Sequence, residues 1–245
     1  MIKLILLILF IAITSLSNAQ SFGFGCLGFV GGFGGYSYQI YQPDGLNNFV
    51  DNFNTSNSDS ILSPLDKFGK ATGYRVGLNF FRANLSGFIL TTKGFYQLLT
   101  EKNSADIGTP QKRNSLSSEL KLKSWGIGFD LGTSITSNFS WKVIDAAVLF
   151  TSIDLTNTQQ YPGKTIITKY KASSNIGYSI GTGFILSVIE DYISLEGLAG
   201  YTVFTAKNVK DSNDNKLSIN NQGVEDFITN GGFNAVIQLN VQFPL

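Results

Sequence analysis

Gly23, Gly25 and Gly28 stand at the G-x-G-x-x-G spacing that cradles a dinucleotide pyrophosphate when a buried strand leads in and a helix leads out. Neither flank fits. Ahead lie Lys3, an unbroken apolar run over residues 4–13 and the small residues Ser17, Asn18 and Ala19, the pattern of a cleaved secretory signal. Behind, residues 22–41 are dominated by glycine and aromatics, and glycine is among the poorest helix formers. The glycines therefore read as part of a first β-strand, placed where the backbone bends or a crowded interior excludes side chains. A second oxygen-rich stretch, Asp211-Ser212-Asn213-Asp214-Asn215-Lys216, has the start of a calcium-loop spacing. Lys216 occupies the place of the sharp-turn glycine and Gln222 that of the bidentate glutamate, so the stretch reads as a solvated loop with no metal.

The chain has no histidine and one cysteine. That removes Ser-His and Cys-His nucleophile pairs, histidine bases and the commonest zinc ligand sets. An internal disulfide is excluded as well. Carboxylate or lysine chemistry is what remains, and its candidates are charges that the strands turn inward: Arg75, Lys93, Asp130, Asp145 and Glu196. Buried charge in a low dielectric is tolerated when paired, so these five read as a salt-bridge network filling an interior, or alternatively as a proton or ion path.

Their placement depends on strands, and alternation supplies them. In residues 233–243 every odd position is apolar and nearly every even one is Asn or Gln. The same period of two runs through residues 175–186 and 193–203, with further strands expected over residues 22–41, 74–80, 85–100, 116–131 and 139–155. The strand over 116–131 changes phase: its apolar positions are even through Leu120 and Leu122 and odd from Trp125 on. Either a bulge re-registers it near Ser124, or its upper part leaves the apolar environment. Connections after strands two, four and six are short, near residues 83–84, 134–138 and 190–191. Those after strands one, three, five and seven are long and polar, near residues 42–70, 102–114, 157–164 and 207–229.

The first long connection carries Leu46, Phe49, Val50 and Phe53 at helical spacing behind Asp44, placed as an N-cap. An amphipathic helix is expected there, serving as a lid on a barrel mouth, a partner-binding face or a segment resting on the membrane interface. Tyr36, Tyr38, Tyr74, Trp125, Tyr178, Tyr192 and Tyr201 are candidates for interfacial girdles.

Eight alternating strands also describe a soluble lipocalin-like barrel, which would carry charge on its outer face. Here the apolar faces are aromatic and aliphatic, and the opposite faces are Gly, Ser, Thr, Asn and Gln, a filling suited to a narrow lumen. Of the 18 basic residues one is Lys3 of the signal, which leaves 17 against 17 acidic ones and no basic patch for nucleic acid. An all-β, eight-stranded antiparallel up-and-down transmembrane β-barrel is expected, with short periplasmic turns and long extracellular loops.

On these residues, the signal ending Ser17-Asn18-Ala19-Gln20, the glycine-aromatic first strand, the eight alternating segments and the terminal strand over 233–243, the chain resembles the small bacterial outer-membrane β-barrels of the OmpA/OmpX-like and porin-like families. It departs from their usual aromatic last residue, placing Phe243 before Pro244 and Leu245. The resemblance implies a signal peptide over residues 1–19 and a barrel domain over 20–245, in the outer membrane of a bacterium with a two-membrane envelope. Its partners would be outer-membrane lipid, the barrel-assembly machinery and another envelope protein or an extracellular ligand. No cofactor is expected. The expected function is non-enzymatic, structural, adhesive or partner-docking, through the long loops and with a plugged lumen, which eight strands leave just wide enough for side chains. The alternative is a barrel that binds or transports a small ligand or lipid. A membrane enzyme is disfavoured by the missing histidine.

Overall fold

The alternating segments pair into one closed antiparallel sheet. A computed structural model describes residues 31–85, 88–109, 112–190, 192–219 and 222–242. The expected signal segment, Gly23, Gly25, Gly28, the single cysteine and Phe243 lie outside the described residues. Eight strands form the barrel wall: β1 (Gly31–Ile40), β3 (Lys70–Leu85), β4 (Phe88–Thr109), β5 (Lys112–Ser134), β6 (Phe139–Tyr161), β7 (Lys164–Ile189), β8 (Ile193–Val203) and β13 (Gly232–Gln242). Each pairs with its sequence neighbours, β4 pairs with β5, and β1 pairs with β13, so the sheet closes. Closure leaves no unpaired edge, which is what allows a sheet to cross a bilayer.

Strand lengths differ in an informative way. β1, β8 and β13 have 10, 11 and 11 residues, the length of a tilted strand crossing hydrocarbon. β4 to β7 have 22, 23, 23 and 26 residues, about twice that. The connections near 102–114 and 157–164 are therefore largely paired strand: β4 meets β5 through Thr109↔Lys112, and β6 meets β7 through Tyr161↔Lys164. Once a strand has left the bilayer its outer face needs no apolar residues, so Asn, Ser, Thr and Lys pair there without the alternation that marks strands from sequence. The turn between β3 and β4 falls beyond Leu85, past the position expected near 83–84.

The phase change in β5 is not a bulge. Its register with β4 is continuous from Phe88↔Thr133 to Thr109↔Lys112, and even positions face inward from Leu116 to Gly132. The interior itself changes, from polar at Ser124 and Asp130 to apolar at Leu120 and Leu122, while the exterior changes from Trp125, Ile127 and Phe129 to Lys121 and Lys123.

The remaining chain caps the long-strand end. It comprises α1 (Asp44–Ser56), β2 (Ile61–Ser63) on the edge of β4, the two-stranded pairs β9 (Ala206–Lys207) with β12 (Asp226–Ile228), and β10 (Ser218–Ile219) with β11 (Gln222–Gly223). Together with the upper walls they enclose an apolar core that includes Leu99, Leu120, Ile153, Leu155 and Phe227.

Candidate functional site

Around the barrel, inward positions of neighbouring strands lie level with one another, so register decides which charges meet. Asp130 on β5 pairs with Thr91 on β4 and with Asp145 on β6, and Lys93 lies two residues along from Thr91. Lys93 Nζ is ion-paired with Asp145 and lies 3.6 Å from Asp130. Two carboxylates directly opposite each other would repel, so the site requires cations between them.

The main cation is Lys142, which alternation does not predict. Lys142 is even and Asp145 odd, so a regular strand would set them on opposite faces. Val143 is an extra residue in β6, since Gly132 pairs with Lys142 while Leu131 pairs with Ile144. The bulge turns Lys142 inward, as bulges commonly re-aim a side chain. Its Nζ contacts Glu196 at 2.5 Å, Asp145 at 2.7 Å and Asp130 at 3.1 Å, and the side chain is 1% exposed. Asn240 on β13 donates to the other oxygen of Glu196 at 3.3 Å, and Gln238 donates to Asn240 at 3.1 Å. A second bulge at Phe80 in β3 turns Arg82 inward, where it donates to Gln242 at 2.6 Å and Thr91 at 3.3 Å.

Arg75 corrects the expectation of five interlocked charges. It is buried, but the ion pairs of the cluster run among Lys93, Lys142, Asp130, Asp145 and Glu196 without it. Arg75 lies four residues along β3 from Asn79, the register partner of Lys93, and so sits two inward positions nearer the long-strand end. There its Nε donates to Gln97 at 2.9 Å and its guanidinium stacks 4.2 Å from the centre of the Phe95 ring. The ring has room because its partner is Gly126, where a Cβ would collide with it. Among the described residues no group of three or more His, Cys, Asp or Glu is placed to hold a metal.

Above Arg75 the filling turns apolar under α1. Leu46 and Val50 are fully buried, with Phe49 and Phe53 packed partly against the same core. Each fully buried side chain of this kind contributes about 1.5–3 kcal/mol relative to exposure, so the helix is fastened to the mouth as a lid. Asp44 is not its N-cap: Pro43 holds that position and makes no side-chain cap bond, while the Asp44 carboxylate accepts from the Thr229 hydroxyl at 2.6 Å. Asn47 and Asn54 tie the returning segment down, each exchanging two hydrogen bonds with a backbone, at Phe68 and Leu65 respectively.

Glu101 completes the fastening. It accepts from Tyr41 at 2.5 Å, from Lys70 N at 2.8 Å and from Gly69 N at 3.0 Å. Burial pushes the Tyr41 phenol up, and the adjacent Glu101 charge adds to the effect, so Tyr41 stays a donor. In the last loop Asp211 turns its oxygens onto its own chain, accepting from the backbone amides of Asn213 and Asn215 at 2.8 and 2.9 Å and from the Asn215 side chain at 3.2 Å. Those bonds occupy the carboxylate that a calcium loop would need.

No protein-family model matches the chain, and no curated protein is similar to it in sequence. Among solved structures it is similar to Ail, the attachment invasion locus protein of Yersinia pestis, at 9% identity over 88% of this chain and 98% of that one, with a TM-score of 0.37. It is similar to Neisserial surface protein A at 11% identity over 88% and 97% of the two chains, with a TM-score of 0.41. The complex of Ail with the heparin analogue sucrose octasulfate matches at 7% identity over 88% and 98%, with a TM-score of 0.38. Identities this low transfer no function. What the structure itself shows is the architecture: a closed wall of eight antiparallel up-and-down strands.

Proposed function

We propose that the protein is a non-enzymatic outer-membrane barrel with a plugged lumen, acting in structural, adhesive or partner-docking roles through its long-strand end. One observation supports the reading: buried side chains of the described residues occupy successive levels of the interior. The Lys93–Lys142 cluster occupies the turn-side half, Arg75 with Phe95 lies above it, and the apolar core under α1 closes the mouth. Between the layers, the small void bordered by Gln39, Ser124, Thr151 and Phe204 is too narrow for a water molecule. What is left for recognition is the outer rim, where the β4–β5 and β6–β7 hairpins and the loop over 207–229 present Asn, Ser, Asp and Lys. Another envelope protein or an extracellular ligand would dock there. Outer-membrane lipid would cover the apolar band, after cleavage of residues 1–19 and insertion by the barrel-assembly machinery.

The reading is tested at two levels. The mature chain should fractionate with outer membrane and migrate differently on a gel before and after heating, because a closed barrel resists detergent. Recovery as a soluble monomer overturns the membrane assignment. In planar bilayers the purified protein should show little steady conductance. Stable ion-selective conductance, altered in selectivity by Glu196→Gln with folding intact, overturns the plugged lumen and supports transport.

A further inference from the structure

The outer wall of the barrel carries a groove that the lumen does not explain. It runs across β1, β3, β4 and β5, has a volume of about 630 Å3, and is apolar. Gly32 and Gly94 face outward and form its floor; Phe80, Tyr96, Trp125 and Ile127 stand around it. Trp125 and Ile127 are 65% and 66% exposed, so the groove opens into the band that hydrocarbon must cover.

Its upper end meets positive charge. Along β5 the outward positions after Trp125 are Lys123 and Lys121, whose β4 register partners are Leu98 and Thr100. At about 3.3 Å per residue and a tilt of about 40°, they stand about 5 and 10 Å above the Trp125 ring level. The headgroup layer on each side of the hydrocarbon is about 5–7 Å thick, so Lys123 stands within it and Lys121 just above it, where its long side chain reaches back down. Lys123 is held by Asp154 at 2.5 Å and Lys121 lies 3.3 Å from Glu119. These pairs do not neutralise the surface: Asp154 is also the register partner of Lys121 and of Lys171, and exposed Lys102 and Lys169 stand two residues further up, at the level of Glu119.

We propose that this groove and the lysines above it form a site for one lipid with a phosphorylated, anionic headgroup. An acyl chain fills the groove over Gly32 and Gly94, and the phosphate sits at Lys121 and Lys123. A neutral occupant would use the groove but not the charge. A free anion would use the charge but not the groove. The site rests on the outer-membrane reading, yet fails separately from it: loss of heat-modifiable migration by the wild type sinks that reading, whereas a folded barrel without lipid preference sinks only the site.

The full chain, purified in detergent, is incubated with phosphatidylglycerol or phosphatidylcholine of identical acyl chains, and retained lipid is counted by native mass spectrometry. The wild type should retain phosphatidylglycerol in preference, and K121Q/K123Q should reduce that retention by about fivefold for each lysine removed. G32L should abolish retention of both lipids with the barrel intact, because a Cβ there meets only ordinary contacts at 3.6 and 3.7 Å. If G32L does not give the heat-modifiable form, I127W narrows the same groove from its wall and should have the same effect. The proposal is overturned by equal retention of the two lipids, by an unchanged preference in K121Q/K123Q, or by retention in folded G32L or I127W. Displacement by excess inorganic phosphate, which would mark a free-anion site, overturns it too, as does a dimer mass in place of the lipid adduct, which would assign the groove to a second copy of the chain.

Discussion

Lys142→Met isolates the interaction on which the plugged lumen rests. Methionine keeps most of the length of the side chain and removes the ammonium that touches Asp130, Asp145 and Glu196 at 3.1, 2.7 and 2.5 Å. Lys93 would then be the one ion-pair partner left to Asp130 and Asp145, and Glu196 would keep the Asn240 amide at 3.3 Å as its contact. Breaking a buried pair by removing one partner costs about 3–5 kcal/mol, because the stranded charge stays desolvated. Two comparisons calibrate the number. Arg75→Met loses one hydrogen bond and a stacking contact but strands no carboxylate of the cluster, which predicts a smaller cost of about 1.5–3 kcal/mol. Lys123→Met breaks a partly exposed pair with Asp154 on the outer wall, which predicts about 0.2–1 kcal/mol. Urea unfolding from lipid vesicles, followed by the fluorescence of Trp125 and Trp141 and by gel migration, ranks the three. Adding Glu196→Gln to Lys142→Met should recover part of the loss, with a coupling energy of about 0.5–3 kcal/mol. A Lys142→Met barrel no less stable than Lys123→Met would refute the claim that these ion pairs hold the interior together.

Other perturbations address the wall, the lid and the last loop. Ile237 is half exposed in the apolar band and Gln238 is buried in the lumen, so Ile237→Arg should destabilise the membrane-inserted barrel by about 2–4 kcal/mol at midplane depth; vesicle unfolding measures it, and a neutral result would place that face outside the lipid. Leu46→Ala removes a fully buried anchor of α1 and should cost about 2–5 kcal/mol, most of it local. Limited proteolysis should then cut within residues 44–56 while the barrel band persists, and unchanged resistance would refute the lid. The Asp211 carboxylate is held below the usual range, first by the Asn215 side chain and then by the backbone amides of Asn215 and Asn213. A depressed folded value means the loop's order is present above the ordinary aspartate value of about 3.9 and is lost as pH falls through the folded one. Carbon NMR of the Asp211 carboxyl should titrate below that value, and a midpoint at or above it would show that the turn does not form.

The barrel was legible from sequence where one face of a strand meets lipid and the other a polar lumen. β8 and β13 are of that kind, and alternation alone sets Glu196 and Gln238 inward and Ile237 outward. It failed where a strand carries an extra residue. Lys142 and Asp145 are three apart, so strict alternation separates the two residues that make one of the closest contacts in the lumen. No residue type marks Val143 as the bulge. The only trace is chemical: an isolated lysine on an apolar face, flanked by Trp141 and Ile144, is costly at the depth where Arg or Lys would meet lipid. Taking that cost seriously would have pointed Lys142 inward. Arg82 after Phe80 carries the same trace.

The upper barrel follows a different logic, and β5 shows what it is. A bulge near Ser124 would have kept one apolar face along the strand, sending Leu120 and Leu122 to the outside and Lys121 and Lys123 to the interior. Instead Leu120 and Leu122 are buried and the two lysines are partly exposed, with register unbroken on both sides from Ser115 to Leu131. An apolar face is defined by what it touches, so a strand that leaves lipid for water must exchange its faces without turning over. The exchange falls at one level around this side of the barrel: Gln97, Ser124, Thr151 and Asn175 are successive register partners. Below that level Tyr96, Trp125, Phe150 and Ile176 face out; above it Leu99, Leu122 and Ile153 face in. The phase inversion marks where the bilayer ends, and above it the barrel is built as a water-soluble protein, with an apolar core and a polar shell. A soluble-type core above the membrane needs a lid, because its top would otherwise expose Leu99, Leu120 and Leu155 to water. That is the physical reason for Leu46 and Val50 on α1.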